Sequence, residues 1–212
     1  MKALSTWEPV LIDKIKTSLV EKDPAHDLAH FSRVVKTAKH LCEIEKAEAA
    51  IVVPAAWLHD LVNLPKNHPD RKHASRYSAE AAVEFLKEIE YPETYFSGIF
   101  HAIHAHSFSA QVPLETLEAK IVQDADRLDA LGAIGIARCF TVGGKLDRDL
   151  YDFADPFCER KDPQDETYTI DHFYKKLFKI AKTLQTPAGR EEGELRIAAI
   201  SRYLADLRRE IL

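Results

Sequence analysis

The chain has 212 residues, of which 46% are hydrophobic and 30% charged. This composition is typical of a globular protein and excludes disordered and collagen-like classes. The formal net charge is -5, from 29 basic and 34 acidic residues, so overall charge does not favour a nucleic-acid polymer or an anionic membrane as partner. A local basic cluster could still bind one small phosphate compound.

The three cysteines, Cys42, Cys139 and Cys158, have no Cys-x-x-Cys spacing. Their odd number and wide separation favour neither a disulfide framework nor a thiolate zinc site. The sequence begins without the apolar run of a signal peptide, and it has no apolar stretch of about 18 residues that could span a membrane. We therefore expect a cytoplasmic protein that does not bind membranes. A monomer or a homodimer is our expectation for the oligomeric state.

The distribution of apolar residues, at three- and four-residue spacing, predicts an all-α fold. No stretch alternates convincingly as a strand would. Asp27 is the expected N-cap of the second helix, and Pro54 should kink the third helix or delay its start. In chain order, about eight helices are predicted, over 9–20, 27–46, a stretch ending in 55–62, 75–89, 92–106, 113–131, 169–184 and 187–211.

Two segments are predicted to be loops. Residues 63–72 hold two prolines and two asparagines, which cannot continue the third helix. Residues 143–167 are rich in Asp, Pro and Gly, and a connection of this length is usually a functional lid or a mobile loop. We expect a single domain over residues 1–212, with a core over about 23–135 and a loop plus C-terminal helices that complete the bundle.

The pair His59-Asp60 follows an apolar run, where burial alone would not select two metal-binding groups. By itself, the pair is more often a buried and satisfied His-Asp contact than a metal site. His26 and His30 lie four positions apart near the start of the second helix, so either could add an imidazole to a site between helices.

Three carboxylates, Asp124, Asp126 and Asp129, lie among apolar residues further along the chain. Uncompensated charge is costly there, so a cation or an arginine such as Arg127 should balance it. On a helix Asp126 and Asp129 share a face, whereas Asp124 and Asp126 point apart. The three carboxylates therefore cannot all bind one ion.

The order of these residues resembles that of the HD superfamily of metal-dependent phosphohydrolases, over about residues 23–160. The stretches 26–34, 57–60 and 124–130 carry the likeness, and 63–67, 101–109 and 151–157 resemble a bacterial subgroup of small stand-alone HD hydrolases. The resemblance implies a single HD-type domain. It selects His30 over His26 and Asp126 over Asp124, so the implied metal ligands are His30, His59, Asp60 and Asp126.

Two imidazoles and two carboxylates suit one divalent cation, with manganese as the first expectation and Mg, Fe, Ni, Co or Zn as further candidates. A cation there would lower the pKa of water, and Asp60 would orient or deprotonate that water for attack on phosphorus. The expected substrate is a small phosphorylated molecule, by family likeness a nucleotide, cleaved at a phosphate ester or phosphoanhydride bond.

Further residues would serve the substrate. The loop after the pair offers Lys66, Asn67 and Arg71 as donors to phosphate oxygens, with Lys66 as the first expectation. The resemblance favours His106 as an acid-base or substrate-side residue. Some HD nucleotidases carry a catalytic glutamate shortly after the pair, but this chain has none in residues 61–63, which leaves the donor to the leaving group open.

Two alternatives to hydrolysis stay open. In a dinuclear-iron oxygenase of the HD type, extra histidines such as His101, His104 and His106 would bind a second iron. A non-catalytic module would keep the metal for folding or for sensing a ligand.

Overall fold

The computed structural model describes residues 4–19, 27–64 and 68–212. Within these ranges there is no β-strand, only an isolated bridge between Asp149 and Tyr168. The predicted all-α class is confirmed. The described helices are α1 (Leu4–Ser18), α2 (Leu28–Glu45), α3 (Ala49–Leu58), α4 (Ala74–Glu88), α5 (Phe96–His106), α6 (Leu117–Asp129), α7 (Gly132–Lys145), α8 (Phe178–Ala181) and α9 (Pro187–Ile211).

The chain divides into two compact units. One is built from α1 to α6 as far as Asp126, and the other begins at Arg127 and contains α7 to α9. The single domain expected over residues 1–212 stays a prediction. No helix in the described part of the chain combines the length and apolarity needed to cross a membrane.

Helix α3 is the central helix of the first unit, where it packs against α1, α2, α4 and α5. Every residue from Val52 to Leu58 is buried. A helix that is apolar on all sides is stable only inside a core, and this composition therefore explains the position of α3. His59 and Asp60 directly follow the last residue of α3, so the buried helix holds the backbone of both residues in place.

Pro54 lies inside α3 and neither ends it nor delays its start, as the helix begins at Ala49. Because proline has no N–H, the carbonyl of Ala50, four residues earlier, loses its helical donor. The hydroxyl of Tyr91 donates to this carbonyl at 2.7 Å. Burial raises the pKa of Tyr91 to about 12, with smaller contributions from Tyr95 and Glu48, and the phenol therefore keeps its proton. A side chain from outside the helix thus replaces the missing bond.

The start of α2 is fixed by its predicted N-cap. The side chain of Asp27 accepts a hydrogen bond from the backbone N–H of His30 at 2.8 Å. Capping satisfies one of the unpaired donors of the first turn and orients that turn. His30 is therefore held in the first turn of α2, with its side chain buried.

In the second unit the structure corrects the predicted helices. Helix α7 was missed, and the segment predicted to be a loop from residue 143 is helical as far as Lys145. The helix predicted over 169–184 is a π-helical turn, Phe173–Leu177, continued by the short α8. Helix α9 agrees with its prediction at both ends.

Glycines concealed α7, because they disfavour helices in isolation. Gly132 opens the helix with φ +70°, a conformation that L side chains rarely adopt. At Gly135 an added Cβ would lie 2.2 Å from the carbonyl oxygen of Ala130, so the tight turn between α6 and α7 requires glycine there. Tertiary packing of α7 against α9 outweighs the low helix propensity.

The rest of the segment predicted to be a lid or mobile loop contains a local network. The buried carboxylate of Asp155 accepts hydrogen bonds from the backbone N–H groups of Glu159, Arg160 and Lys161. The ammonium of Lys161 contacts Asp152 at 2.5 Å. A role of this segment as a lid stays a prediction.

Candidate metal centre

Three helices, α2, α3 and α6, bring imidazole and carboxylate groups of the first unit together. His30 comes from the first turn of α2, His59 and Asp60 follow α3, and Asp126 comes from α6. Possible ligand atoms of His30, His59 and Asp60 all lie within 4.8 Å of one another, and no other such group of three occurs among residues 4–19, 27–64 and 68–212. The group is suited to a divalent cation.

His59 has the geometry of a metal-binding imidazole. Its side chain is fully buried, and Nδ1 lies 2.8 Å from the carbonyl oxygen of Ala56, to which it donates. That bond leaves Nε2 as the nitrogen with the lone pair. In the described structure this buried Nε2 has no hydrogen-bond partner. A cation is the group that such a nitrogen would bind.

The carboxylate of Asp126 approaches both imidazoles. Its Oδ1 atom lies 3.7 Å from Nε2 of His30 and 3.8 Å from Nε2 of His59. On the other side of His59, Oδ2 of Asp60 lies 3.8 Å from the same Nε2 atom. These separations exceed hydrogen-bond length, and an ion placed among the four groups could bind each of them.

Burial keeps His59 in the neutral form that binds metals. It lowers the pKa of His59 to about 4, and the nearby carboxylates of Asp60 and Asp126 only partly oppose this effect. The aromatic ring of Phe31 contributes to the burial, with its centroid 5.1 Å from that of His59.

His106, the last residue of α5, lies against the carboxylate of Asp60. Its Nε2 atom is 3.5 Å from Oδ1 of Asp60, and its Nδ1 atom is 2.5 Å from the carbonyl oxygen of Ile103. Burial lowers the pKa of His106, but Asp60, Asp126 and the Ile103 carbonyl together outweigh burial and raise it above its usual value. With an acceptor at each nitrogen, the imidazolium form is stabilised.

Gln123 of α6 fixes the end of α5 and was not singled out from the sequence. Its buried side-chain amide donates to the carbonyls of Ala105 and His106, both at 3.2 Å. These carbonyls belong to the last turn of α5 and have no donor within the helix. The signal in the sequence that could have identified Gln123 is its position as a polar residue in the apolar stretch before Asp124.

The other two histidines of α5 have different surroundings. Nε2 of His101 accepts a hydrogen bond from the backbone of Glu115 at 3.1 Å. The ring of His104 packs on Phe100, with ring centroids 5.8 Å apart. A second metal site built from them therefore has no geometric support in the described residues.

The remaining carboxylate of the predicted trio has its own partner. Oδ2 of Asp129 is 2.6 Å from Nη1 of Arg138, a residue of α7 that was not considered. Arg127, suggested as a partner from the sequence, donates to the carbonyl of Thr183 at 2.8 Å. Asp124 is fully buried.

The predicted substrate residues are only partly described. Lys66 and Asn67 lie outside the described residues, as does His26. The guanidinium of Arg71 donates to the side-chain oxygen of Asn63 at 3.2 Å and to the carbonyl of Leu64. Arg71 therefore binds the loop that follows the His-Asp pair, and its contact with substrate stays a prediction.

Comparison with known proteins identifies the family of the chain. The family model described as "HD domain" matches residues 27–131, a range that contains His30, His59, Asp60 and Asp126. A curated relative from Bacillus subtilis (strain 168), the uncharacterized protein YpgQ, is 32% identical over 202 residues, which are 93% of this chain and 90% of YpgQ. The chain belongs to the HD family.

Solved structures of HD proteins resemble the whole chain. An HD-superfamily hydrolase from Bacillus thuringiensis is 31% identical with a TM-score of 0.76, over 97% of both chains. The crystal structure of Bacillus subtilis YpgQ in complex with ADP is 28% identical with a TM-score of 0.74, over 97% of this HD protein and 95% of that chain.

Proposed function

We propose that this HD protein is a metal-dependent phosphohydrolase that cleaves a phosphate ester or phosphoanhydride bond of a nucleotide. The observation that carries the proposal is the orientation of His59. Its Nδ1 atom bonds to the Ala56 carbonyl, so its buried Nε2 atom is directed at the carboxylates of Asp60 and Asp126. An ordinary structural histidine would have a partner at that nitrogen.

The proposed ligands are His30, His59, Asp60 and Asp126. Two nitrogens and carboxylate oxygens suit a metal of intermediate hardness, and manganese is our first choice, ahead of Mg, Fe, Ni, Co and Zn. When bound, such a cation lowers the pKa of water and neutralises charge on phosphate oxygens.

Asp60 and His106 are proposed to move the protons. Asp60 can hold the attacking water and accept its proton, since one carboxylate oxygen faces the ligand cluster and the other faces His106. A bond forms between the water oxygen and phosphorus as the bond to the leaving oxygen breaks. His106 carries the proton that the leaving oxygen needs, because its pKa is raised above the usual value.

A nucleotide substrate is supported by the relative with ADP, since YpgQ covers nearly the whole chain. Lys66, Asn67 and Arg71 are the proposed contacts to its phosphate oxygens. A monomer or homodimer in the cytoplasm stays our expectation for the protein as a whole.

The test is a screen of the purified chain for release of phosphate or pyrophosphate. Nucleoside mono-, di- and triphosphates are each supplied with Mn²⁺, Mg²⁺, Co²⁺, Ni²⁺ or Zn²⁺. We expect turnover that chelation abolishes, that Asp60→Ala reduces at least about 100-fold, and that Asp13→Asn, a change of an exposed carboxylate on α1, leaves intact. Full activity in Asp60→Ala would exclude the proposed site.

Two other results would select the alternatives. Two irons for each chain without phosphate release would favour the dinuclear oxygenase. A bound metal without turnover on any nucleotide would favour the non-catalytic module.

A further inference from the structure

A large aromatic side chain is exposed next to the proposed proton donor. Phe108 follows His106 after one intervening residue, and 80% of its surface is accessible. We propose that Phe108 is the stacking platform for the nucleobase of the substrate. The inference rests on the proposed nucleotide function and adds the means by which the base, rather than the phosphate, is bound.

The position of Phe108 follows from how α5 ends. The helix stops at His106, and Ser107 is extended, with φ -75° and ψ 128°. Because consecutive Cα atoms are about 3.8 Å apart, the Cα atoms of His106 and Phe108 are separated by at most about 7.6 Å. His106 is buried against Asp60 while Phe108 is exposed, so the chain passes from the proposed reaction centre to solvent within two residues.

A basic turn lies beside this aromatic residue. Phe108 begins a 3₁₀ turn, Phe108–Ala110, which packs against another, Arg71–His73. The second turn contains Arg71 and the exposed Lys72. Positive charge attracts phosphate, and the face of an aromatic ring binds a base, so the two turns provide both types of contact that a nucleotide needs.

Stacking on phenylalanine predicts a particular specificity. A phenyl ring has neither donors nor acceptors, so it cannot distinguish the hydrogen-bonding edges of bases. It binds any base through its face, and the larger purines gain more contact than pyrimidines. The site should therefore accept several nucleotides with a preference for purines.

The test compares the binding of two ligands in two variants of Phe108 and in one control variant. Calorimetry with Mg²⁺ measures the affinity for ADP and for pyrophosphate, which lacks the base. We expect Phe108→Ala to weaken ADP binding about 10-fold and Phe108→Trp to preserve it, because indole also stacks. Pyrophosphate binding should change less than about 2-fold in both variants.

Ile44→Ala is the matched control, because it also shortens an exposed apolar side chain of the first unit. Its position on α2 is about 21 Å from His30 along the helix axis, at 1.5 Å for each residue. Equal loss of affinity for both ligands in Phe108→Ala, or unchanged ADP affinity in that variant, would overturn the inference. Phosphate release by the wild type reports separately on the proposed function.

Discussion

The Nε2 atom of His59 lies 3.8 Å from Oδ1 of Asp126, while Nδ1 of the same ring bonds to the Ala56 carbonyl. If the two residues share a cation, Asp126→Asn removes a charged ligand but keeps the shape of the side chain. We expect at least 10-fold weaker Mn²⁺ binding by calorimetry. Asp13→Asn, with an exposed carboxylate changed in the same way, should bind like the wild type. Equal affinity in Asp126→Asn would remove it from the ligand set.

Metal should also stabilise the fold, because a ligand that binds only the folded state raises the free energy of unfolding. At Mn²⁺ concentrations about 100 times the dissociation constant, the gain is about 2.7 kcal/mol. Thermal unfolding of chelator-treated protein, with and without added Mn²⁺, measures this gain. In His59→Ala we expect the gain to disappear, and an undiminished rise in melting temperature there would contradict the site.

The hydrogen bond from Tyr91 to the Ala50 carbonyl should stabilise the fold, because it replaces the helical bond that Pro54 cannot make. Tyr91→Phe removes the hydroxyl and should lower the free energy of unfolding by about 1–2 kcal/mol, measured in urea. Tyr77→Phe, at a partly exposed position of α4, should change it by less than about 0.5 kcal/mol.

The same bond gives a double-mutant cycle. In a Pro54→Ala background the new N–H of residue 54 can donate to the Ala50 carbonyl, so Tyr91→Phe should cost less there than in the wild type. Identical costs in the two backgrounds would mean that Tyr91 does not replace the missing helical bond.

Replacing glycine by alanine should have opposite effects on stability at two positions of α7. Gly135→Ala places a Cβ 2.2 Å from a backbone oxygen that cannot rotate away, and we expect a loss of about 1–3 kcal/mol. At Gly144 the added Cβ meets nothing within 4 Å, so alanine should stabilise the helix by about 0.5–1 kcal/mol. Denaturant unfolding of both variants measures these changes. An unchanged free energy of unfolding in Gly135→Ala would contradict the close approach to the Ala130 carbonyl.

The pair of His172 and Asp165 should make stability depend on pH. Burial lowers the pKa of His172, although Nδ1 lies 2.8 Å from the Asp165 carboxylate. Below about pH 6.5 the unfolded chain therefore takes up a proton on His172 that the folded chain resists, and stability falls as pH decreases. His172→Gln should make this fall shallower between pH 7 and about pH 5. His40→Gln, at an exposed position, should not.

Much of the fold could be predicted, because local signals agree with tertiary packing for most helices. The N-cap Asp27 and both ends of α9 are examples. Helix α7 could not be predicted, because its glycines oppose helix formation locally and are required by neighbours distant in sequence, such as Arg196 near Gly132. The role of Tyr91 could not be predicted either, because Tyr91 lies far from Pro54 in the sequence and no local pattern joins the two residues.

By itself the sequence determined the helical class and the place of the pair His59-Asp60 after an apolar run, since spacing and order are properties of the chain. Family likeness led to His30 and Asp126 as the other proposed ligands. Tertiary structure decided which nitrogen of His59 faces the carboxylates, that His106 alone of the three α5 histidines contacts Asp60, and that Gln123 holds the end of α5. These depend on distances between side chains from different helices. Such distances follow from packing and have no counterpart in local sequence.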